Sequence, residues 1–256
     1  MKQTLTDYQD IIMKLPLKTK YEKEELLIED LLIAQYHDLE LYYAPHNEYI
    51  NATPKVFIIG ITPGFSQMNT AIATAREALE RGTNLSEIQY KCKVAARFSG
   101  SMRKNITTML DEIKLHKALG LASTSELFEA RDDLLHTVSL IPYPVFYKKQ
   151  NYTGHTPKLL KSEFLMRIVV ENFKCEKEKL EHFDELLLIP LGKAVEDVLD
   201  FLAQHEVIKE SQILKGFPHP SGANGRRLTQ LSENKEQLIM QIKHKVCGEV
   251  RCLKSK

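Results

Sequence analysis

Lys55-Val-Phe-Ile-Ile-Gly-Ile-Thr-Pro-Gly-Phe-Ser-Gln67 is the stretch whose reading decides the fold. Val56 to Ile59 are a short apolar run rich in β-branched residues, with Thr53 and Pro54 before it and Gly60, Pro63 and Gly64 after it. A run of that length between turn residues reads as a strand buried on both faces, the pattern of a parallel sheet. Gly60 and Gly64 permit tight backbone, while Pro63 fixes its own φ and pushes Thr62 toward an extended conformation. A rigid loop therefore leaves the carboxyl end of a buried strand, where open α/β sheets place their ligands. Alone, the stretch reads as an ordinary βα turn; a second stretch changes that.

The second stretch is Gly216-Phe-Pro-His-Pro-Ser-Gly-Ala-Asn-Gly-Arg-Arg227, which continues the apolar run Ile213–Phe217. Two more runs, His136–Ile141 and Leu186–Ile189, have the same character. Helical spacing occupies Thr4–Leu15, Glu22–Tyr36, Asn69–Arg81, Asn84–Phe98, Lys104–Leu115, Lys158–Phe173, Val195–Gln204 and Leu228–Val246, and Ser123 starts a shorter helix to Glu129. Strands alternating with helices predict an α/β fold, a three-layer α/β/α arrangement around a central, mainly parallel four-stranded sheet. Leu41–Ile50 reads as an ordered loop in which His46 and Asn47 either pack or border a site. Tyr143–Pro157 reads as a surface loop that carries function. With no repeat and no low-complexity linker, residues 1–256 read as one domain with an N-terminal helical extension over about 1–40.

The chain's 256 residues are enough for an ample core, and 43% hydrophobic with 27% charged residues is a globular composition. A formal net charge of +1 selects no partner by bulk electrostatics, so a nucleic-acid contact has to be a local basic patch. Cys92, Cys175, Cys247 and Cys252 form no C-x-x-C pair, which argues against zinc or an iron–sulfur cluster and for free thiols in a reducing cytoplasm. The N-terminus lacks the apolar core of a signal peptide and no run approaches the ~20 apolar residues of a spanning helix, so a cytoplasmic protein without a membrane partner is expected.

Both distinctive loops follow predicted parallel strands and should open at the same sheet edge. The second offers His219 between Pro218 and Pro220, then Ser221, Asn224, Arg226 and Arg227. Hydroxyl, backbone N–H and guanidinium all donate to phosphate oxygen, so this set suits an anionic or phosphate-bearing ligand. The structural alternative is that Ser221 caps a helix and the arginines are solvated.

Gly60-Ile-Thr-Pro-Gly64 together with His219-Pro-Ser221 resembles the motif pair of the uracil-DNA glycosylase superfamily. Arg97-Phe-Ser-Gly100 is similar to the segment whose Phe stacks on the extruded base, Thr156-Pro157 to the segment before the third strand, and Leu191-Gly-Lys-Ala194 to the turn that opens the following helix. The resemblance runs in order over roughly Tyr43 to Gln241. It implies a protein that binds DNA, single-stranded or damaged, takes a base out of the stack and hydrolyses its N-glycosidic bond in base-excision repair. His219 would hydrogen-bond the base carbonyl as charge develops on the leaving base. Phe98 would stack on the base and Phe65 would add a second wall. The rest of the first loop (Gly60, Ile61, Pro63, Gly64 and Gln67) would line the base site, and Ser139 would stand where the family often reads the base. Ser221 and amides near Pro63 and Gly64 would hold phosphates, with Asn224, Arg226 and Arg227 reaching further ones. Thr62, Phe98 and His219 are thus expected to line one pocket, with no cofactor and no metal cluster.

Thr62 stands where the family often carries Asp, Glu or Asn to orient water. A Thr hydroxyl can hydrogen-bond a water but is no general base near neutral pH. A second reading is therefore a catalytically impaired member that binds a modified base, nucleotide or nucleic-acid end without cleavage, and a third is a metabolic α/β enzyme with chance motifs.

Overall fold

The structure, a computed structural model, describes residues 4–246; Cys247, Cys252 and the basic tail lie outside the described residues. In chain order the elements are α1 (Leu5–Lys14), α2 (Lys23–Leu26), β1 (Leu32–Tyr36), β2 (Leu39–Tyr42), β3 (Val56–Gly60), α3 (Phe65–Glu80), α4 (Leu85–Ala96), α5 (Ser101–Glu112) and α6 (Leu115–Ala118). There follow β4 (Leu135–Ser139), β5 (Val145–Tyr147), β6 (Gln150–Asn151), α7 (Glu163–Lys179), β7 (Leu187–Pro190), α8 (Lys193–Gln204) and α9 (Arg227–Val246). The chain divides into two compact units. One comprises Met1–Ile50, Ile61–Ser99 and Ser139–Asn172; the other comprises Asn51–Gly60, Gly100–Val138 and Phe173–Lys256.

The second unit holds a three-stranded parallel sheet in the order β4-β3-β7. Val56 pairs with Leu187 and Ile59 with Pro190, and the Leu191 amide donates to the Ile59 carbonyl (2.9 Å). The apolar runs form strands because they are sealed: Val56, Phe57, Ile58, Ile59, Leu188 and Ile189 are all fully buried. Behind β3, Phe57 stacks with Phe173 (6.1 Å) and meets the His136 ring edge-on (4.6 Å, 64°). His136 in turn bonds Glu176 of α7 through Nε2 (2.8 Å), with both side chains shut away from solvent.

The expected fourth strand, Ile213–Phe217, is not one. It makes a single parallel bridge, Leu188 to Ile213, and the Leu214 amide donates to the Leu188 carbonyl (2.9 Å). Beyond that point side chains take the backbone groups a ladder would need. The amide and carbonyl of Lys215 go to Gln241 (2.9 Å each), the amide of Gly216 to Glu196 (2.6 Å) and its carbonyl to Asn234 (2.8 Å). Gly216, at φ +93°, then turns the chain away.

The first unit contains a second sheet, antiparallel in the order β1-β2-β5-β6. Here three expectations are corrected. Glu22–Tyr36 is not one helix: only α2 is α-helical, and a 3-10 turn at Glu29–Leu31 leads into β1. Leu31 to Ala34 is uniformly apolar, so it fits a strand as well as a helix, and pairing with β2 decides the matter. Leu41–Ile50 begins as the end of β2, and Tyr143–Pro157 contains the β5–β6 hairpin. Against this sheet α1, α3 and α4 close a core that includes Leu5, Ile12, Met68, Ile72, Ile88 and Phe146, with Tyr8 stacked on Tyr43 (3.9 Å).

Among the described residues no helix is long and apolar enough to cross a membrane, and no group of three or more His, Cys, Asp or Glu could hold a metal ion. Removing one partner of a sealed polar pair strands the other. Glu176→Ala should therefore lower unfolding stability by about 3–5 kcal/mol in urea titration; a loss under about 1 kcal/mol would show that the pair does not hold β4 to α7.

Candidate functional site

Gly60 ends β3, and Ile61 begins the next segment of the first unit. The Ile61 carbonyl accepts the Ile141 amide (3.0 Å), tying this loop to the one that follows Ser139, the last residue of β4. Thr62 makes the tie double. Its hydroxyl donates to the Tyr143 carbonyl (2.7 Å) and accepts from the Val145 amide (3.0 Å). The one hydrogen of the hydroxyl is thus committed, and a single lone pair remains to accept from water.

Four further carbonyls of that second loop are also held. Asn172 donates to the carbonyls of Ser139 (3.2 Å) and Leu140 (3.4 Å), Asn47 to Pro142 (2.9 Å), and the Tyr42 amide to Pro144 (2.9 Å). Asn47 accepts from the buried Lys93 ammonium (3.2 Å). Its neighbour His46 is buried with no hydrogen-bond partner on either ring nitrogen; burial and then Lys93 push its pKa down to about 3, so the ring is neutral.

After the buried Pro63, Gly64 caps α3. The Gly64 amide donates to Gln67 Oε1 (3.2 Å) and the Phe65 amide to Asn151 Oδ1 (2.9 Å), while Gln67 also donates to the Ala96 carbonyl (3.3 Å). The amides expected to hold phosphates are therefore occupied by protein side chains, and Gln67 acts as a cap. The Phe65 ring meets Phe146 edge-on (6.5 Å). Phe98 is 8% exposed and sits at φ +48°, a left-handed conformation costly for a bulky side chain.

In the second unit the His219 loop is braced on every side. Ser221 donates its amide to His219 Nδ1 (3.2 Å), so the neutral ring carries its proton on Nε2. Asn224 donates to the His219 carbonyl (3.1 Å) and Asn105 of α5 to the Pro220 carbonyl (2.8 Å). Gly192, in the turn between β7 and α8, lies against the histidine: a Cβ there would stand 2.7 Å from His219 Cβ, at a backbone φ of +88°. Ser221 Oγ accepts the Ala223 amide (3.2 Å), which leaves its hydrogen to donate. Arg226 is exposed and makes no ion pair among the described residues, whereas Arg227 donates to the Asn224 carbonyl (3.4 Å). Asn224 also bonds Gln230 (3.0 Å) and the Arg226 amide (3.2 Å), so it organises the loop. Thr62, Phe98 and Ser139 fall in the first unit, and His219, Ser221, Asn224, Arg226 and Arg227 in the second.

A comparison with known protein families finds no match, and no solved structure is similar. One curated protein, uncharacterized protein YoxB of Bacillus subtilis (strain 168), is 46% identical over 228 residues, covering 89% of this chain and 88% of its own length. The chain belongs to the YoxB family.

In this YoxB-family chain, sequence reasoning passed over Asn105, Asn151 and Asn172, which hold the loops; it named Asn47 only as packing or bordering a site, and Gly192 only as part of a helix-opening turn. An isolated Asn announces no partner. For Gly192, its place between the apolar strand Leu187–Pro190 and the helix from Lys193 was the available signal.

Two substitutions test these supports. Thr62→Val keeps the shape but strands two backbone groups, so stability should fall by about 2 kcal/mol while Thr62→Ser stays within about 1 kcal/mol of the parent. Gly192→Ala forces a left-handed alanine against His219 and should cost more than about 1 kcal/mol. Equal urea midpoints for the parent, Thr62→Val and Gly192→Ala would remove both roles.

Proposed function

We propose that this protein binds DNA and hydrolyses the N-glycosidic bond of uracil or a related deaminated base flipped out of the stack, as a uracil-DNA-glycosylase-like enzyme. The three-layer arrangement of that fold is part of the same reading. The observation that carries it is the hydrogen bond from the Ser221 amide to His219 Nδ1. With Nδ1 accepting from Ser221, the one donor of the neutral ring is Nε2–H. A donor held in place by its loop needs no reorganisation when charge develops on a base carbonyl, the condition under which one hydrogen bond is worth most to a rate.

Cleavage breaks the bond between the sugar's anomeric carbon and the base nitrogen, whose electrons leave with the base. Nε2–H stabilises the resulting anion at the carbonyl oxygen; water adds to the anomeric carbon and loses a proton to solvent, from which the departed base anion takes one up. Thr62 can accept a hydrogen bond from that water but gives it no base, so its main contribution is to position the loop. Under this reading Phe98 stacks on the extruded base. Phosphates would meet the Ser221 hydroxyl, the exposed Gly222 amide and Arg226.

The engaged hydroxyl of Thr62 also favours a second reading, a binding protein that holds a modified base without cleaving it. Single-turnover assays on single- and double-stranded oligonucleotides carrying uracil, hypoxanthine or xanthine separate the two. The parent should cleave at least one; His219→Ala should lose ~100–1000-fold in rate, and Thr62→Ser about tenfold or less. DNA binding without cleavage of any base would leave the binding protein standing, and no binding at all would end both readings.

A further inference from the structure

The antiparallel sheet of the first unit has a cavity of about 470 Å³ at the tip of its β1–β2 hairpin, lined by Tyr36, His37, Tyr147, Pro157, Lys161 and Ser162 among others. Cavities of this size take nucleotide-sized ligands. Tyr36 is 48% exposed, an unusual position for a large aromatic ring, yet it is not loose. It stacks on Phe164 (5.0 Å, 20°) and forms a T-shaped pair with the His37 ring (4.4 Å, 67°). His37 is held at the hairpin tip in a left-handed conformation (φ +53°). A solvent-facing ring immobilised from behind is what a stacking platform requires, because every nucleobase offers a π-face and the ordering cost is already met.

The charge beside it points the same way. Lys161 lines the cavity, Lys158 follows the lining residue Pro157 in the chain, and Arg167 lies one helical turn beyond Glu163 on α7; all three are exposed and none makes an ion pair among the described residues. Of the acidic residues on the rim, Asp38 is paired with Lys148 (3.6 Å), which also lies over the Tyr147 ring (5.5 Å), and Glu163 alone opposes the cations. An exposed aromatic surface with a surplus of free cations fits a polyanion carrying aromatic groups better than it fits an apolar peptide.

We propose that this cavity is a second nucleic-acid contact, which holds an unpaired base against Tyr36 while Lys158 and Lys161 meet the adjoining phosphates. The inference rests on the DNA-binding part of the function proposed above and assigns it a surface built from residues outside the glycosylase motifs. Since no base-specific group is prominent, the site should favour single strands with little sequence preference.

The test is fluorescence anisotropy of a labelled, undamaged oligothymidylate with the full-length protein. Compared are the parent, Tyr36→Ala, Tyr36→Phe, the Lys158→Ala/Lys161→Ala pair and Arg226→Ala/Arg227→Ala. Tyr36→Ala should weaken binding about tenfold, with Tyr36→Phe within about twofold of the parent. The lysine pair should reduce the slope of log affinity against log salt by ~1.4, the share of two phosphate contacts on a single strand. Thermal melts of the variants, expected to match the parent at so exposed a position, exclude unfolding as the cause. If Tyr36→Ala and the lysine pair bind as the parent does while the arginine pair weakens, this inference falls and the function proposal survives. If thymidine monophosphate binds as tightly as the oligonucleotide, the strand-binding role falls. A parent that binds no oligonucleotide overturns the inference and the DNA-binding reading together.

Discussion

The Ser221 amide donates to Nδ1 of His219, and the proposed chemistry depends on that bond. A neutral imidazole has one donor and one acceptor, so fixing the acceptor fixes the donor. Pro218 and Pro220 remove backbone freedom and two amide donors from the segment, and the carbonyls of His219 and Pro220 go to Asn224 and Asn105. Gly192 supplies the room: any side chain at that position would collide with the histidine. The same loop in a softer frame would let the ring turn and present either nitrogen.

The first unit meets the same demand by other means. In the loop from Ser139 to Val145, Asn172, Asn47, Thr62 and Tyr42 take the carbonyls of Ser139, Leu140, Pro142, Tyr143 and Pro144. This accounting explains why Thr62 is not an acid. The position must donate to the Tyr143 carbonyl and accept from the Val145 amide at once, which a hydroxyl does and an ionised carboxylate cannot. The residue that separates this chain from the motif it resembles is therefore one its own loop geometry requires.

The parallel strands β3 and β7 were legible because burial on both faces leaves continuous apolar runs between turn residues, whereas β4, Leu135-His-Thr-Val-Ser139, overlaps the expected run His136–Ile141 only in part. Ile213–Phe217 carries the same signal but fails as a strand, since the side chains of Glu196, Asn234 and Gln241 compete for its backbone. No local pattern reports such distant partners. The β5–β6 hairpin was hidden for another reason. Its turn is Lys148-Lys149, both at positive φ (+49° and +62°), where the usual signal is Asn or Gly. In the candidate site, His219, Ser221 and Thr62 stood out by residue type and spacing, whereas the tautomer of the histidine and the engagement of the threonine are properties of the folded loops.

The central claim is that His219 presents Nε2–H. Long-range proton–nitrogen correlation spectra of protein labelled with ¹⁵N-histidine read this directly, with His219→Gln used to assign the signal. The account predicts a neutral ring whose Nδ1 has the shift and couplings of an unprotonated nitrogen and whose Nε2 has those of a protonated one. A ring protonated on Nδ1 would contradict it, because the Ser221 amide would then have no acceptor and the proposed donor would be absent.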